Sequence, residues 1–200
     1  MANSEHMQLL GQGERAWTAW REAHPDIRPD FTGADLRKRM LRSLDLSSAD
    51  LSGADLRDTN FRRADLSAAK LDGARLHRAF LSRTKLDGAS FKRAELYETI
   101  FADVDLSKVK SLGECVHKGP SVLDHRTLSR SRALPLSFLR GCGLPDAVIA
   151  GTLSPPQGFV PYWSCFISYS SRDQVFADQL HADLQAHGVR CWLGERDIHR

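Results

Sequence analysis

Residues 46–66 read LSSADLSGADLRDTNFRRADL. A large apolar residue occupies every fifth position of this stretch, and a small residue stands two places before it at Ala49, Ala54, Thr59 and Ala64. Followed outward, the spacing holds without a miss through Phe31, Leu36, Leu41, Leu46, Leu51, Leu56, Phe61, Leu66, Leu71, Leu76, Leu81, Leu86, Phe91, Leu96, Phe101 and Leu106. The small position continues as Ala69, Ala74, Ala79, Thr84, Ala89, Ala94 and Thr99, with Ala34 at the start. Neither the helical nor the extended periodicity of side chains is five.

A short extended segment followed by a corner does give that period. Residues two apart in an extended chain point to the same side, so the Ala and the Leu turn inward together and the corner resets the phase. Four such sides close one square coil of a β-helix, and sixteen repeats make about four coils. At roughly 4.8 Å per coil the stem is about 19 Å long. Leu or Phe fills the axis, and Ala or Thr is small enough to fit beside it. Arg39 and Leu44 replace the small residue, so irregular packing is expected in the first coil.

Ala34-Asp35-Leu36, Ala49-Asp50-Leu51, Ala54-Asp55-Leu56 and Ala64-Asp65-Leu66 carry an A(D/N)Lxx signature, and this stretch, about three eighths of the chain, resembles the pentapeptide-repeat family. The resemblance implies a right-handed quadrilateral β-helix, a rod that binds or scaffolds and catalyses nothing by itself. One known use of such rods is imitation of DNA to inhibit topoisomerases, which needs a strongly acidic surface. From Phe31 to Leu106 there are 14 Lys and Arg against 12 Asp and Glu, a balance that disfavours DNA mimicry.

Residues twenty apart stack on one face of such a coil. The face of Leu41, Phe61, Leu81 and Phe101 then projects Met40, Arg42, Arg62, Arg63, Phe80, Arg83 and Ile100 outward, and its neighbour projects Arg37, Lys38, Arg57 and Arg78. An apolar and basic stripe is the expected docking surface for a protein partner or a second copy. The alternative is that the arginines only solubilise a β surface. Asp58, Glu98 and Asp103 interrupt the basic rows, which weighs against an anionic polymer.

Residues 1–28 hold a capping helix for the first coil, with Leu9, Leu10, Trp17 and Trp20 at near-helical spacing before His24-Pro25. Residues 29–108 are the β-helix. Residues 109–160 are a connector with short helices near Pro135 and Pro145. Cys115, His117, Asp124 and His125 lie close in sequence without a ligand spacing, so no metal site is assigned. Four scattered cysteines favour reduced thiols.

In residues 161–200, Trp163–Tyr169 reads as a buried strand, Val175, Phe176, Leu180 and Leu184 mark one helix face, and Val189–Leu193 reads as a second strand. Strand, helix, strand is a βαβ unit with parallel strands. Phe166-Ile167-Ser168-Tyr169, Ser170-Ser171-Arg172-Asp173 and Gly188-Val189 followed by Trp192 resemble the opening of a TIR domain, an α/β flavodoxin-like fold. The resemblance implies self-association and, in many bacterial members, NAD hydrolysis. It would place NAD contacts at Ser170, Ser171, Arg172 and Arg196, and partner contacts in the BB loop at Arg196, Asp197 and Ile198. The family's catalytic Glu belongs to a later helix, so no residue up to Arg200 takes that role. An incomplete, inactive TIR unit is expected here, with NAD only as substrate of a complete one. A non-enzymatic TIR adaptor is the alternative.

Charged residues at 26%, hydrophobic ones at 42% and a formal net charge of +3 fit a folded chain and give no compositional case for nucleic acid. The N-terminus lacks a basic-then-apolar secretory pattern and no apolar run is long enough to span a bilayer. A cytoplasmic, bacterial signalling or defence protein whose partners are other TIR domains or itself, not DNA or membrane, is the expectation.

Overall fold

The structure, a computed structural model, describes residues 2–153, 164–167, 174–186 and 190–193. It divides into two compact units, Met1–Leu153 and Ser154–Arg200.

In the first unit, single-residue parallel bridges join positions twenty apart. One ladder runs Asp30–Asp50–Lys70–Ser90–Lys110, the next Asp35–Asp55–Arg75–Glu95, the third Met40–Asn60–Phe80–Ile100 and the fourth Asp45–Asp65–Lys85. The chain thus climbs one level per twenty residues, in a β-helix-like stack. All sixteen axial Phe and Leu side chains are buried, none more than 4% exposed. Thr59, Thr84 and Thr99 in the small positions are buried, and each hydroxyl donates at 2.8 Å to the carbonyl oxygen of Leu36, Phe61 or Leu76. At the two departures Leu44 is buried while Arg39 is exposed.

The repeat follows from how its amides are paired. Around Leu51, Asp50 N donates to Pro29 O in the previous coil, while Leu51 N and Gly53 N donate to Lys70 O and Asp72 O in the next, all at 2.8 Å. Ala54 N closes the turn on Leu51 O at 3.1 Å. The remaining amide, Ser52 N, donates to the Asp50 carboxylate at 3.1 Å. Asp in the signature is therefore the acceptor for the one turn amide that the ladders leave over. Corners carry positive φ, from Gly53 at 65° to Ala68 at 56° and Arg63 at 61°.

The N-terminal cap is two helices, α1 (Ser4–Gly11) and α2 (Glu14–Ala23), instead of the one expected, because Gly13 turns the chain at φ 99°. Trp17 is fully buried and Leu10 nearly so. Beyond Leu106 the coil also continues further than the five-residue period: β1 (Glu95–Leu96) pairs with β3 (Val116–His117), and β2 (Ile100–Phe101) with β4 (Val122–Leu123), both parallel. Lys110, Val116 and Val122 occupy successive ladders, so these sides are six residues long. Helices α3 (His125–Arg130), α4 (Leu136–Gly141) and α5 (Asp146–Leu153) follow, and buried Phe138 meets Phe101 edge-on with centroids 5.9 Å apart.

In the second unit β5 (Ser164–Ile167) and β6 (Arg190–Leu193) pair in parallel in the register Ser164–Arg190 to Ile167–Leu193, joined through α6 (Gln174–Ala186). Of the expected helix face, Leu180 and Leu184 are half-buried beside buried Ala177, whereas Val175 and Phe176 are 80% and 70% exposed. The inward stripe thus runs through positions 177, 180 and 184, at i, i+3 and i+7, and leaves Val175 and Phe176 to one side.

Candidate functional site

In the sixteen repeats the residue before each axial Leu or Phe points outward, and it is Asp, Asn or another polar residue in all but three. The three apolar ones, Met40, Phe80 and Ile100, share a single ladder, with Asn60 between them. β4 adds Val122 to the same row, paired with Ile100. Met40, Phe80 and Val122 are 63%, 44% and 51% exposed, and Ile100 is half-buried.

These residues forgo a local hydrogen bond. Asn60 Oδ1 accepts Arg62 N at 3.0 Å, as the Asp carboxylates do elsewhere. Met, Phe and Ile have no acceptor to offer. Among the described residues the amides of Arg42, Ser82 and Ala102 accordingly have no hydrogen-bond partner, and the same holds for Asp72, His77 and Asp87 after Lys70, Arg75 and Lys85.

The charges on this face also differ from those around it. On the neighbouring ladder Arg37 meets Asp35 at 2.6 Å, Arg57 meets Asp55 at 2.7 Å, Arg75 meets Asp55 at 3.7 Å and Arg78 meets Asp58 at 2.7 Å. Arg37 holds the exposed Asp35 carboxyl down to about 2. On the remaining faces Lys70 pairs with Asp50 and Lys85 with Asp65. Burial would raise Asp50 and Asp65, but hydrogen bonds from Ser52 and Ser67, and then the lysines, outweigh it and hold both below the ordinary carboxylate value. By contrast Arg39, Arg42, Arg62 and Arg63 are exposed and make no ion pair among the described residues. Arg83, expected on the apolar and basic stripe, is tied to Asp103 at 3.1 Å, which Arg130 also reaches at 3.2 Å. The basic part of the face is therefore its first two coils.

The loop residues Ser170, Ser171, Arg172, Arg196, Asp197 and Ile198 lie outside the described residues. Sequence reasoning missed Val122, since a side of six residues breaks the period that would have placed it. Arg39 was visible only as a misfit. Of the connector residues, Asp124 caps α3 by accepting Thr127 N at 2.8 Å, and His117 packs against Phe138 at 5.7 Å. Burial pushes the thiols of Cys115 and Cys142 up to about 12, far from the thiolate chemistry of a reactive cysteine. No described helix is long and apolar enough to cross a membrane.

Comparison with known proteins gives two family matches. Eight copies of the pentapeptide repeats match over residues 45–83 and 76–110, and a TIR domain matches over residues 165–200. Among solved structures, a pentapeptide repeat protein (Rfr23) from the cyanobacterium Cyanothece 51142 is 19% identical, with 57% of this chain and 97% of that one covered and a TM-score of 0.39. A pentapeptide repeat protein from the Arabidopsis thaliana thylakoid lumen is 21% identical, covering 61% and 73%, with a TM-score of 0.35. No curated protein sequence matches.

Proposed function

We propose that this chain, which carries pentapeptide repeats followed by a segment of TIR domain, is a cytoplasmic signalling or defence scaffold that docks protein on its Met40–Phe80–Ile100 face. We take the coil as a right-handed, four-sided β-helix and β5–α6–β6 as the opening of a flavodoxin-like sheet. One observation carries the docking role: the only apolar residues at the outward position of the repeats stand on one ladder, each at the expense of a turn hydrogen bond. Solubility would be served by the opposite choice, and an unpaired amide beside an exposed apolar side chain gives the fold nothing.

The effector role belongs to the TIR segment. Bringing several copies together raises the effective concentration of weakly associating modules, and the complete domain would then cleave NAD to release nicotinamide. By resemblance Ser170, Ser171, Arg172 and Arg196 contact that substrate, and Arg196, Asp197 and Ile198 contact another TIR domain.

Sedimentation velocity over a concentration series, with and without purified TIR domain, compares the chain with a variant carrying M40S, F80S and I100S. Weaker association in the variant, with its unfolding midpoint kept, is the expected result. Identical association in both would sink the docking role. Measured nicotinamide release by the 200 residues separately tests the effector role, and turnover there would contradict a catalytic Glu on a later helix.

A further inference from the structure

The two ends of the coil are finished differently. At the C-terminal end side chains take up the outgoing amides: Asp103 N donates to the Asp124 carboxylate at 3.1 Å, Val104 N to Thr127 Oγ1 at 3.2 Å and Leu106 N to Ser131 Oγ at 3.0 Å. At the N-terminal end the groups to be satisfied are the amides and carbonyls of Asp30, Asp35, Met40 and Asp45. Their counterparts one coil on, Asp50, Asp55, Asn60 and Asp65, donate to Pro29, Ala34, Arg39 and Leu44.

The helical cap serves three of these eight groups, on the Asp30 and Asp45 sides. Asp30 N donates to His6 Nδ1 at 3.0 Å, Asp30 O accepts Asn3 N at 3.1 Å, and Asp45 O accepts the Trp17 indole N–H at 2.8 Å. Among the described residues, the amides and carbonyl oxygens of Asp35 and Met40 have no backbone or side-chain hydrogen-bond partner. The open half therefore runs through residues 35–42 and holds the most exposed apolar side chain of the face, Met40. It is flanked by Arg39 and Arg42, with Arg62 and Arg63 one coil below, all four without an ion pair among the described residues.

We propose that this rim, at Arg39–Met40–Leu41–Arg42, is a strand-docking site for an extended segment of a partner protein that carries acidic residues beside apolar ones. It rests on the assignment of the Met40 face as a docking surface, and adds how the partner's backbone is held. Unpaired N–H and C=O groups on an edge are a template for strand addition. Four uncompensated guanidinium groups at that edge select acidic side chains by charge complementarity, and Met40 supplies the apolar contact. The docked segment then continues the Met40–Asn60–Phe80 ladder by one more level.

The test is fluorescence anisotropy with the whole chain and a fluorescein-labelled eight-residue peptide of alternating Glu and Val. An added strand pairs along one edge only. Backbone N-methylation of one alternate set of residues should therefore abolish binding, and methylation of the other set should leave it within about twofold. A variant carrying R39E and R42E should bind at least about tenfold more weakly, since each tenfold is about 1.4 kcal/mol. Equal binding by both methylated peptides, no binding by the parent peptide, or equal competition by single-stranded DNA would overturn the strand-docking site. If methylation has no effect while the M40S, F80S and I100S variant still loses association in sedimentation, the edge fails and the face stands. If methylation acts as expected while sedimentation is unaltered, the rim stands and the longer face does not.

Discussion

The Trp17 indole N–H donates to the carbonyl oxygen of Asp45 at 2.8 Å, joining the cap to the first coil. Arg21 supports the same corner, reaching the Asp45 carboxylate at 3.3 Å and Ile27 O at 2.8 Å. Replacing Trp17 with Phe keeps most of the packing but leaves a coil carbonyl unpaired, so W17F should lower the unfolding free energy by about 1 kcal/mol in urea titration. W17A also opens a cavity in the cap and should lose about 3–5 kcal/mol.

Acid should unfold the protein in two stages. Burial holds the His117 imidazole below its ordinary value. The unfolded chain takes up this proton first, so that contribution is complete above about pH 6.5 and is lost as pH falls through the lower folded value. The turn carboxylates come next. Asp30, held down by the Thr32 amide, and Asp55, held down chiefly by Arg57, titrate below the ordinary carboxylate value. Their contribution is complete above about pH 4 and disappears below it. Urea midpoints measured from pH 7 to pH 3 should show both declines, and H117Q should reduce the first alone.

Corner strain offers a gain in stability. Ala68 is exposed and adopts φ 56°, a left-handed conformation that disfavours a Cβ. A68G should raise stability by about 0.5–1 kcal/mol, the strain relief exceeding the added freedom of the unfolded chain. The reverse change at Gly73, φ 66°, should lower it by about 1 kcal/mol. Thermal unfolding of both variants checks the pair.

A Cβ on Gly141 would fall on the His117 ring, far inside contact. G141A should therefore cost about 1–3 kcal/mol, against its better helix propensity. Adding H117A should recover part of that loss, and a double-mutant cycle in urea measures the coupling.

The coil was legible because every repeat solves the same problem with the same residues. Leu51 and Ala54 announce the axis by their size, and Asp50 announces the turn by its charge, although its role as acceptor for Ser52 N needed the hydrogen bonds. Repetition also hid what does not repeat. Val116 and Val122 extend the ladders through six-residue sides, so a search by fives stops at Leu106. The cap's division at Gly13 was written only as one glycine in an apolar pattern. Met40, Phe80 and Ile100 could be placed on one face by arithmetic. The distinction of unpaired Arg42, Arg62 and Arg63 from paired Arg37 and Arg57 could not, because ion pairing is set by side-chain geometry. The loop residues Ser170 to Arg172 and Arg196 to Ile198 lie outside the described residues.

The most direct test asks whether Met40, Phe80 and Ile100 serve the fold or a partner. Asn60 already shows what Asn does on this ladder, accepting the turn amide of Arg62 at 3.0 Å. A variant carrying M40N, F80N and I100N would offer that acceptor to Arg42, Ser82 and Ala102. If the apolar residues serve binding, its unfolding free energy in urea should stay level or rise, by up to about 1 kcal/mol per site. A fall of several kcal/mol would show that these side chains hold the coil together, and would contradict the docking face.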